Sequence, residues 1–319
     1  MLSEFKKLSA LVGRNIKLYF KDKMTFFISL LTPIILVVLF LTFLKGVYAN
    51  SIISTLPEGM EVSNKAIEAF CGGWLFSSIV SVSCVTVAFC SNIMVLDKIN
   101  KSINDLNITP VKKSTLLISY FISNFLTTFL ICVIVLIISF IYLACVGFFL
   151  TFFDVFMLFV STICMCLFGS LLASIVGMLV SSQGAHSAVS SLVSSMYGFI
   201  SGAYMPISQF GVGIKTFLSF LPSTFGTVLF RQYYMNGVIN HLQTTEDVPA
   251  EIAEQIRLSF DGKLVLFDTT MPTWALFTVV VGTSLLLLGL YILISHLKKH
   301  KLHQKEYKKA PNSTDSGTK

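Results

Sequence analysis

Residues 24–44 form an apolar run of 21 residues with no charge, bracketed by Lys23 and Lys45. At about 1.5 Å per residue such a helix is about 31 Å long, the thickness of a bilayer's hydrocarbon core. Comparable runs at about 70–96, 115–144, 155–180, 187–204 and 273–296 predict five more spans. Helices are expected throughout, because an isolated strand leaves its backbone polar groups unpaired in lipid. A cleavable signal peptide competes for the first run, with Val47-Tyr48-Ala49 as a small-x-small site. A signal's apolar region is only about 7–15 residues long and follows a short basic start. This run is longer and begins later, so a retained span is expected.

The segments between the runs have patterns of their own. In residues 2–21, Phe5, Leu8, Val12, Ile16 and Tyr19 recur on one helical face, with Lys7, Arg14, Lys17 and Lys21 opposite. This predicts an amphipathic helix on the inner leaflet, a plain polybasic topology anchor being the alternative. The stretch DKINKSINDLNITPVKK (97–113) carries six charges, and residues 114–153 carry none. Its Ile99, Ile103 and Leu106 are spaced for one helical face, with Lys98, Lys101 and Asp105 on the others and Ser102 between them. Thr109-Pro110 stops the helix, since a residue before proline avoids the helical region. Residues 205–270 begin with an apolar stretch broken by Pro206, Gly211, Gly213, Lys215 and Pro222. Broken backbone at membrane depth requires burial in protein, so interfacial or re-entrant helices are expected on the outer side. A short helix to about Ser259 and a turn at Asp261-Gly262 follow.

Charge sets the orientation. Lysines and arginines number 17 on the side of both termini and the 97–113 loop, against 6 on the other. Both termini are therefore expected in the cytoplasm. Trp74 and Trp274 fall at predicted outer span ends, where an interfacial aromatic belt belongs. Residues 297–319 form a lysine-rich tail, expected to be disordered and drawn to anionic lipid; its His296, His300 and His303 lack a placed acidic or cysteine partner for metal. Only 12% of the 319 residues are charged and 54% are hydrophobic, which excludes a water-soluble globule. The basic residues bracket apolar runs and form no nucleic-acid-binding patch. All seven cysteines lie in or beside apolar runs without metal-type spacing, and are expected to act as small packing residues.

The chemistry that would power transport is missing. No predicted span has a charge at its centre, and Asp154 and His186 sit at span ends, as interfacial polar residues would. No GxxxxGK[ST] or HExxH occurs, and no catalytic, metal-binding or cofactor-binding residue is singled out. The expected fold is an all-α membrane protein. One transmembrane domain (1–296) has six spans, the N-terminal interfacial helix, and broken helices between spans five and six. Such a chain is a subunit driven by another protein, a non-transporting scaffold or sensor, or a channel.

Several stretches resemble the membrane subunit of ABC-2 type transporters. NIKLYFKDKMTFFISLLTPIILVVLF (15–40) is similar to that family's basic-aromatic approach to a first span containing proline, here Pro33. Thr109, Pro110 and Val111 match the end of its first inner loop. FISGAYMPISQFG (199–211) and LPSTFGTVLFRQYYMNG (221–237) are similar to its small-residue break after span five. The inner loop departs from the family in reading DKINKS, with Lys101-Ser102 in place of a Gly-Thr pair. The resemblance implies an exporter of amphiphiles such as drugs, antibiotics, peptides or lipids, made of two permease copies or paralogues and two ATP-binding cassette ATPases in a bacterial cell membrane. ATP and Mg would sit on the ATPase, and none on this chain. Lys98, Ile99, Lys101, Ser102, Ile103, Asp105, Leu106, Thr109 and Pro110 would form the ATPase-coupling helix. Ser201, Gly202, Pro206, Pro222 and Arg231 would lie near the outer exit.

Overall fold

The computed structural model describes residues 2–57, 60, 62–109, 111–266 and 269–309, by backbone only at 2, 3, 107 and 298–309. Helix α1 (Leu2–Lys21) lies at one end of a helical bundle, which we term the loop end. Asp22 then caps α2 (Lys23–Leu39), accepting from the Thr25 backbone N at 3.2 Å and its Oγ1 at 2.6 Å. These hydrogen bonds hold the Asp22 carboxyl below its ordinary pKa. Helix α2 contains Pro33 and passes through a π-turn (Phe40–Leu44) into α3 (Lys45–Thr55) at the far end.

Helix α4 (Asn64–Cys90) returns to the loop end and is followed by α5 (Ile93–Ile99) and α6 (Ser102–Ile108). Helices α7 (Lys113–Val146) and α8 (Phe152–Leu179) make the next pair of crossings. Helix α8 is started by a capping box between Thr151 and Asp154, and Asp154 also accepts from Asn236 Nδ2 at 3.3 Å. This residue is fully buried as a helix cap, not interfacial as its position suggested. After α9 (Gln183–Ile200) come α10 (Val212–Ser219), α11 (Pro222–Thr244) and α12 (Ala250–Ser259). A two-residue ribbon, β1 (Val265–Leu266) antiparallel to β2 (Thr269–Thr270), precedes α13 (Thr273–Lys309).

Helix α4 is the axis of the bundle. Of its most apolar window 94% is buried, against 28% for the first span, 33% for α7 and 17% for α13. Glycine, serine and cysteine along α4 let α2, α7, α8 and α11 approach closely, the packing that substitutes for a hydrophobic driving force in lipid. The facing Gly169 on α8 is obligatory, because a Cβ there would overlap the Cys84 carbonyl.

Among the described residues, five helical stretches are long and apolar enough to cross a membrane: Lys23–Thr55, Asn64–Ile99, Lys113–Val146, Phe152–Leu179 and Thr273–Leu297. The expected fifth span (187–204) is not among them. Its helix α9 is serine-rich and ends at Ile200, where Ser201 and Gly202 (φ +71°) turn the chain. A sixth crossing is reached only by counting α10 and α11 together, which meet at 86°. Helix α11 begins halfway along α4, where Thr227 Oγ1 meets Ser81 Oγ at 2.7 Å. It runs to the far end, where His241 lies against Phe149. The pair is therefore sharply bent and is no continuous helical span.

Two further expectations are corrected. Trp74 is fully buried, its Nε1 donating to the Phe260 carbonyl at 3.2 Å, so it belongs to the core and not to a lipid-facing belt. Trp274 is 71% exposed. The segment expected to be disordered from 297 continues α13 to Lys309, since it offers good helix formers and no proline or glycine before Pro311. Residues 310–319 lie outside the described residues.

Candidate functional site

At the loop end, α1 is clamped to the bundle by a polar cluster. Arg14 donates from Nη1 to Asp97 Oδ2 at 2.7 Å and from Nη2 to Asp97 Oδ1 at 2.9 Å. Tyr120 Oη on α7 donates to Asp97 Oδ2 at 2.6 Å, and Asn15 Nδ2 to Ser123 Oγ at 3.2 Å. The Asp97 hydrogen bonds push the Arg14 guanidinium above its ordinary pKa. Arg14 was expected on the outward basic face, but a buried carboxylate on α5 draws it inward. Tyr19 and Asn15 are buried beside it, Leu8, Val12 and Ile16 are half-buried, and Phe5, Lys17 and Lys21 are exposed. Lys7 pairs with Glu4 at 3.2 Å.

The expected single coupling helix is two helices. Lys101 adopts a left-handed conformation (φ 59°) between α5 and α6, so the face predicted from spacing alone does not run through. Helix α5 is built into the bundle. Lys98 Nζ donates to the Gly177, Met178 and Val180 carbonyls at 2.5, 3.1 and 3.3 Å, where its charge also suits the C-terminal end of the α8 dipole. Ile99, Ser102, Ile103 and Leu106 are half-buried, and Ile103 and Leu106 pack on the core that holds Tyr19, Met94 and Tyr120. Lys101, Asn104, Asp105, Ile108 and Thr109 face outward, with Ile108 86% exposed. Thr109 ends α6 in an extended conformation, as a residue before proline should. Pro110 lies outside the described residues.

Between α2 and α9 lies a cleft of about 760 Å³ with two unlike walls. Helix α2 contributes Ile28, Leu31, Ile35 and Leu39. Helix α9 contributes Ser187, Ser190, Ser191, Ser194 and Ser195, with His186 at the loop-end mouth. The serines recur at three- and four-residue steps and so share one helical face. Val189, Val193 and Tyr197 turn towards the core, and Leu192, Met196 and Phe199 are exposed. Burial holds His186 below its ordinary pKa.

At the far end Arg231 on α11 is fully buried. Its Nη1 donates to Asp261 Oδ2 at 2.9 Å and its Nη2 to the Gly202 carbonyl at 2.5 Å, and it lies 4.8 Å from the Trp74 ring centroid. Asp261 in turn accepts from the backbone N–H groups of Ile207 and Ser208. Buried Ser201 and Pro206 belong to the same turn, and Pro222 is the first residue of α11. Helices α4 and α11, the turn after α9 and the loop after α12 are thus joined through one guanidinium.

A family model described as ABC-2 family transporter protein matches residues 45–297. The chain belongs to this family. No curated protein and no solved structure matched the chain. It is therefore a multi-pass membrane permease of an ABC transporter, a class that works with an ATP-binding cassette ATPase and generally does not catalyse itself.

Sequence spacing located the permease's charged loop but not which of its side chains face outward. Asp97, Tyr120 and Asn15 emerge as the partners of Arg14 only in three dimensions, because Asp97 and Arg14 are 83 residues apart. Ile108 was not among the apolar residues that the spacing singled out. An isoleucine just before a Thr-Pro stop, on the loop with most of the charge, was the available signal.

Proposed function

We propose that this permease carries an amphiphilic substrate outward through the cleft between α2 and α9. The observation that supports this most directly is the asymmetry of the cleft, with mainly aliphatic side chains beside Thr25 and Thr32 on the α2 wall and a row of serine hydroxyls on the α9 wall. A molecule with an apolar body and a polar edge satisfies both walls. A purely ionic substrate would leave the α2 wall unused and meet no fixed charge among the cleft's lining residues. A second permease copy or paralogue covers the exposed Leu192, Met196 and Phe199 of α9, a helix too polar to face lipid alone.

Energy comes from the ATPase subunit, which carries ATP and Mg; this chain binds neither. The ATPase grips the outward tip of α6, centred on Ile108, Asp105 and Thr109, on the cytoplasmic side with both termini. Because α5 is tied to α8 by Lys98 and to α1 and α7 by Asp97, a push on α6 reaches three helices at once. Far-end contacts around Arg231, Gly202 and Pro206 hold the exit segment.

Co-purification with the cognate ATP-binding cassette ATPase tests the grip. Ile108→Asp should abolish complex formation, while Lys17→Ala, on the exposed face of α1, should leave it intact. Unchanged ATPase binding in Ile108→Asp would rule out this tip as the docking point. For the cleft, transport of a panel of fluorescent amphiphiles into inside-out vesicles should fall when Ser190 and Ser194 are both replaced by leucine. Undiminished uptake would place the path elsewhere.

A further inference from the structure

Three thiols that share no sequence motif converge inside the bundle. Cys132 Sγ on α7 and Cys166 Sγ on α8 each lie 3.7 Å from Cys84 Sγ on α4, and all three sulfurs fall within 4.8 Å of one another. All three side chains are fully buried. Two neighbouring buried hydroxyls lack a hydrogen-bond partner. Ser170 is one turn beyond Cys166 on the same face of α8, and Tyr197 on α9 lies within electrostatic range of Cys84. Shape alone would be satisfied by alanine or valine at each position. Three facing sulfurs instead make a donor set.

The spacing suits a metal. Metal–sulfur bonds of about 2.3 Å place ligand sulfurs about 3.8 Å apart in a tetrahedral site and about 4.0 Å apart in a trigonal one. The two separations from Cys84, 3.7 Å each, are within a few tenths of an ångström of both. We propose that Cys84, Cys132 and Cys166 bind a soft monovalent d10 cation of the Cu(I) class, stapling α4, α7 and α8 together.

Ligand number selects this class. Each sulfur ligates as a thiolate and releases its proton as it does so (M⁺ + RSH → M–SR + H⁺). Three sulfurs fill the trigonal shell of a Cu(I)-type ion, whereas divalent zinc would need a fourth ligand to complete its tetrahedron. Soft sulfur ligation favours Cu(I). This inference is independent of the transport reading.

The test uses the full-length permease in nanodiscs. Ag(I) or Cu(I) is supplied either during expression or after purification, with excess glutathione to strip weakly held metal, and retention is measured by mass spectrometry after desalting. Wild type should retain one metal ion per chain, with a sulfur-dominated shell by X-ray absorption. Cys84→Ser, Cys132→Ser and Cys166→Ser should each retain at least tenfold less, whereas Cys145→Ser and Cys164→Ser should match wild type. Loading should also raise the unfolding midpoint of wild type and not of Cys84→Ser. If wild type retains no metal by either route, or Cys84→Ser retains as much as wild type, the site does not exist. The absorption measurement on wild type decides the point even if the serine variants fold poorly.

Discussion

Replacing Asp97 with asparagine removes the anion that holds α1 against α5 while keeping its shape. Two unit charges about 4 Å apart attract by about 4 kcal/mol at an effective dielectric of about 20. Arg14 is 32% exposed and regains hydration when released, and the asparagine oxygen still accepts from Tyr120. The net cost is therefore about 2 kcal/mol, within the range of hydrogen bonds to charged groups. Arg14→Ala should cost slightly more, about 3 kcal/mol, because it leaves a carboxylate buried with one neutral donor. In the double variant the losses should fall short of their sum by about 1.5 kcal/mol, the signature of two side chains that act on each other. The assay is thermal unfolding followed by a thiol-reactive dye, because Cys71, Cys84, Cys90, Cys132 and Cys166 are buried and become reactive only when the bundle opens. Each single variant should lower the midpoint by several degrees, about 4–8 °C. If the two substitutions prove additive, the clamp is absent and the account of force passing from α6 to α1 fails with it.

Other substitutions probe the rest of the molecule. Arg231→Lys should destabilise by about 3 kcal/mol in the same unfolding assay, because one ammonium cannot replace the guanidinium fork that serves both Asp261 and Gly202. Gly169→Val should drive α8 off the Cys84 carbonyl and cost about 1–3 kcal/mol, read as lost expression of folded protein on size exclusion. A Thr32→Cys/Ser194→Cys pair should cross-link α2 to α9 through an oxidant, since Thr32 Oγ1 donates to the Ser194 carbonyl at 3.4 Å. Transport should stop in the cross-linked protein and return on reduction.

The fold was readable where local chemistry decides it. Charge-free runs and the turn at Asp261 follow from neighbouring residues, and the α12 helix appeared where its acidic start predicted it. The sequence was less informative where distant parts meet. Helical spacing assigned Arg14 to the outward basic face, because nothing nearby reveals that Asp97 will be waiting. Trp74 carries the composition of an interfacial residue and was read as one, yet Arg231 and Phe260 enclose it. The break at Lys101 was invisible because lysine seldom adopts a left-handed conformation. Serine had two meanings: on α4 it marks close packing, while on α9 it lines a cleft and makes the helix too polar to count as a span.

The burial of α4 has a consequence for how the chain is made. Three of its four main neighbours, α7, α8 and α11, lie later in the sequence, so α4 must reach the bilayer during synthesis before most of its packing partners exist. Its polar side chains are suited to that wait. Ser77, Ser83 and Thr86 donate to carbonyls of their own helix at 2.6, 2.6 and 3.1 Å and need no outside partner. Ser81 and Ser78 instead meet α11, at Thr227 and Arg231. Completion of the bundle is thus tied to the emergence of residues near 231 from the ribosome, and a nascent chain stalled before them would expose two unsatisfied serines on its central helix to the cell's membrane quality control.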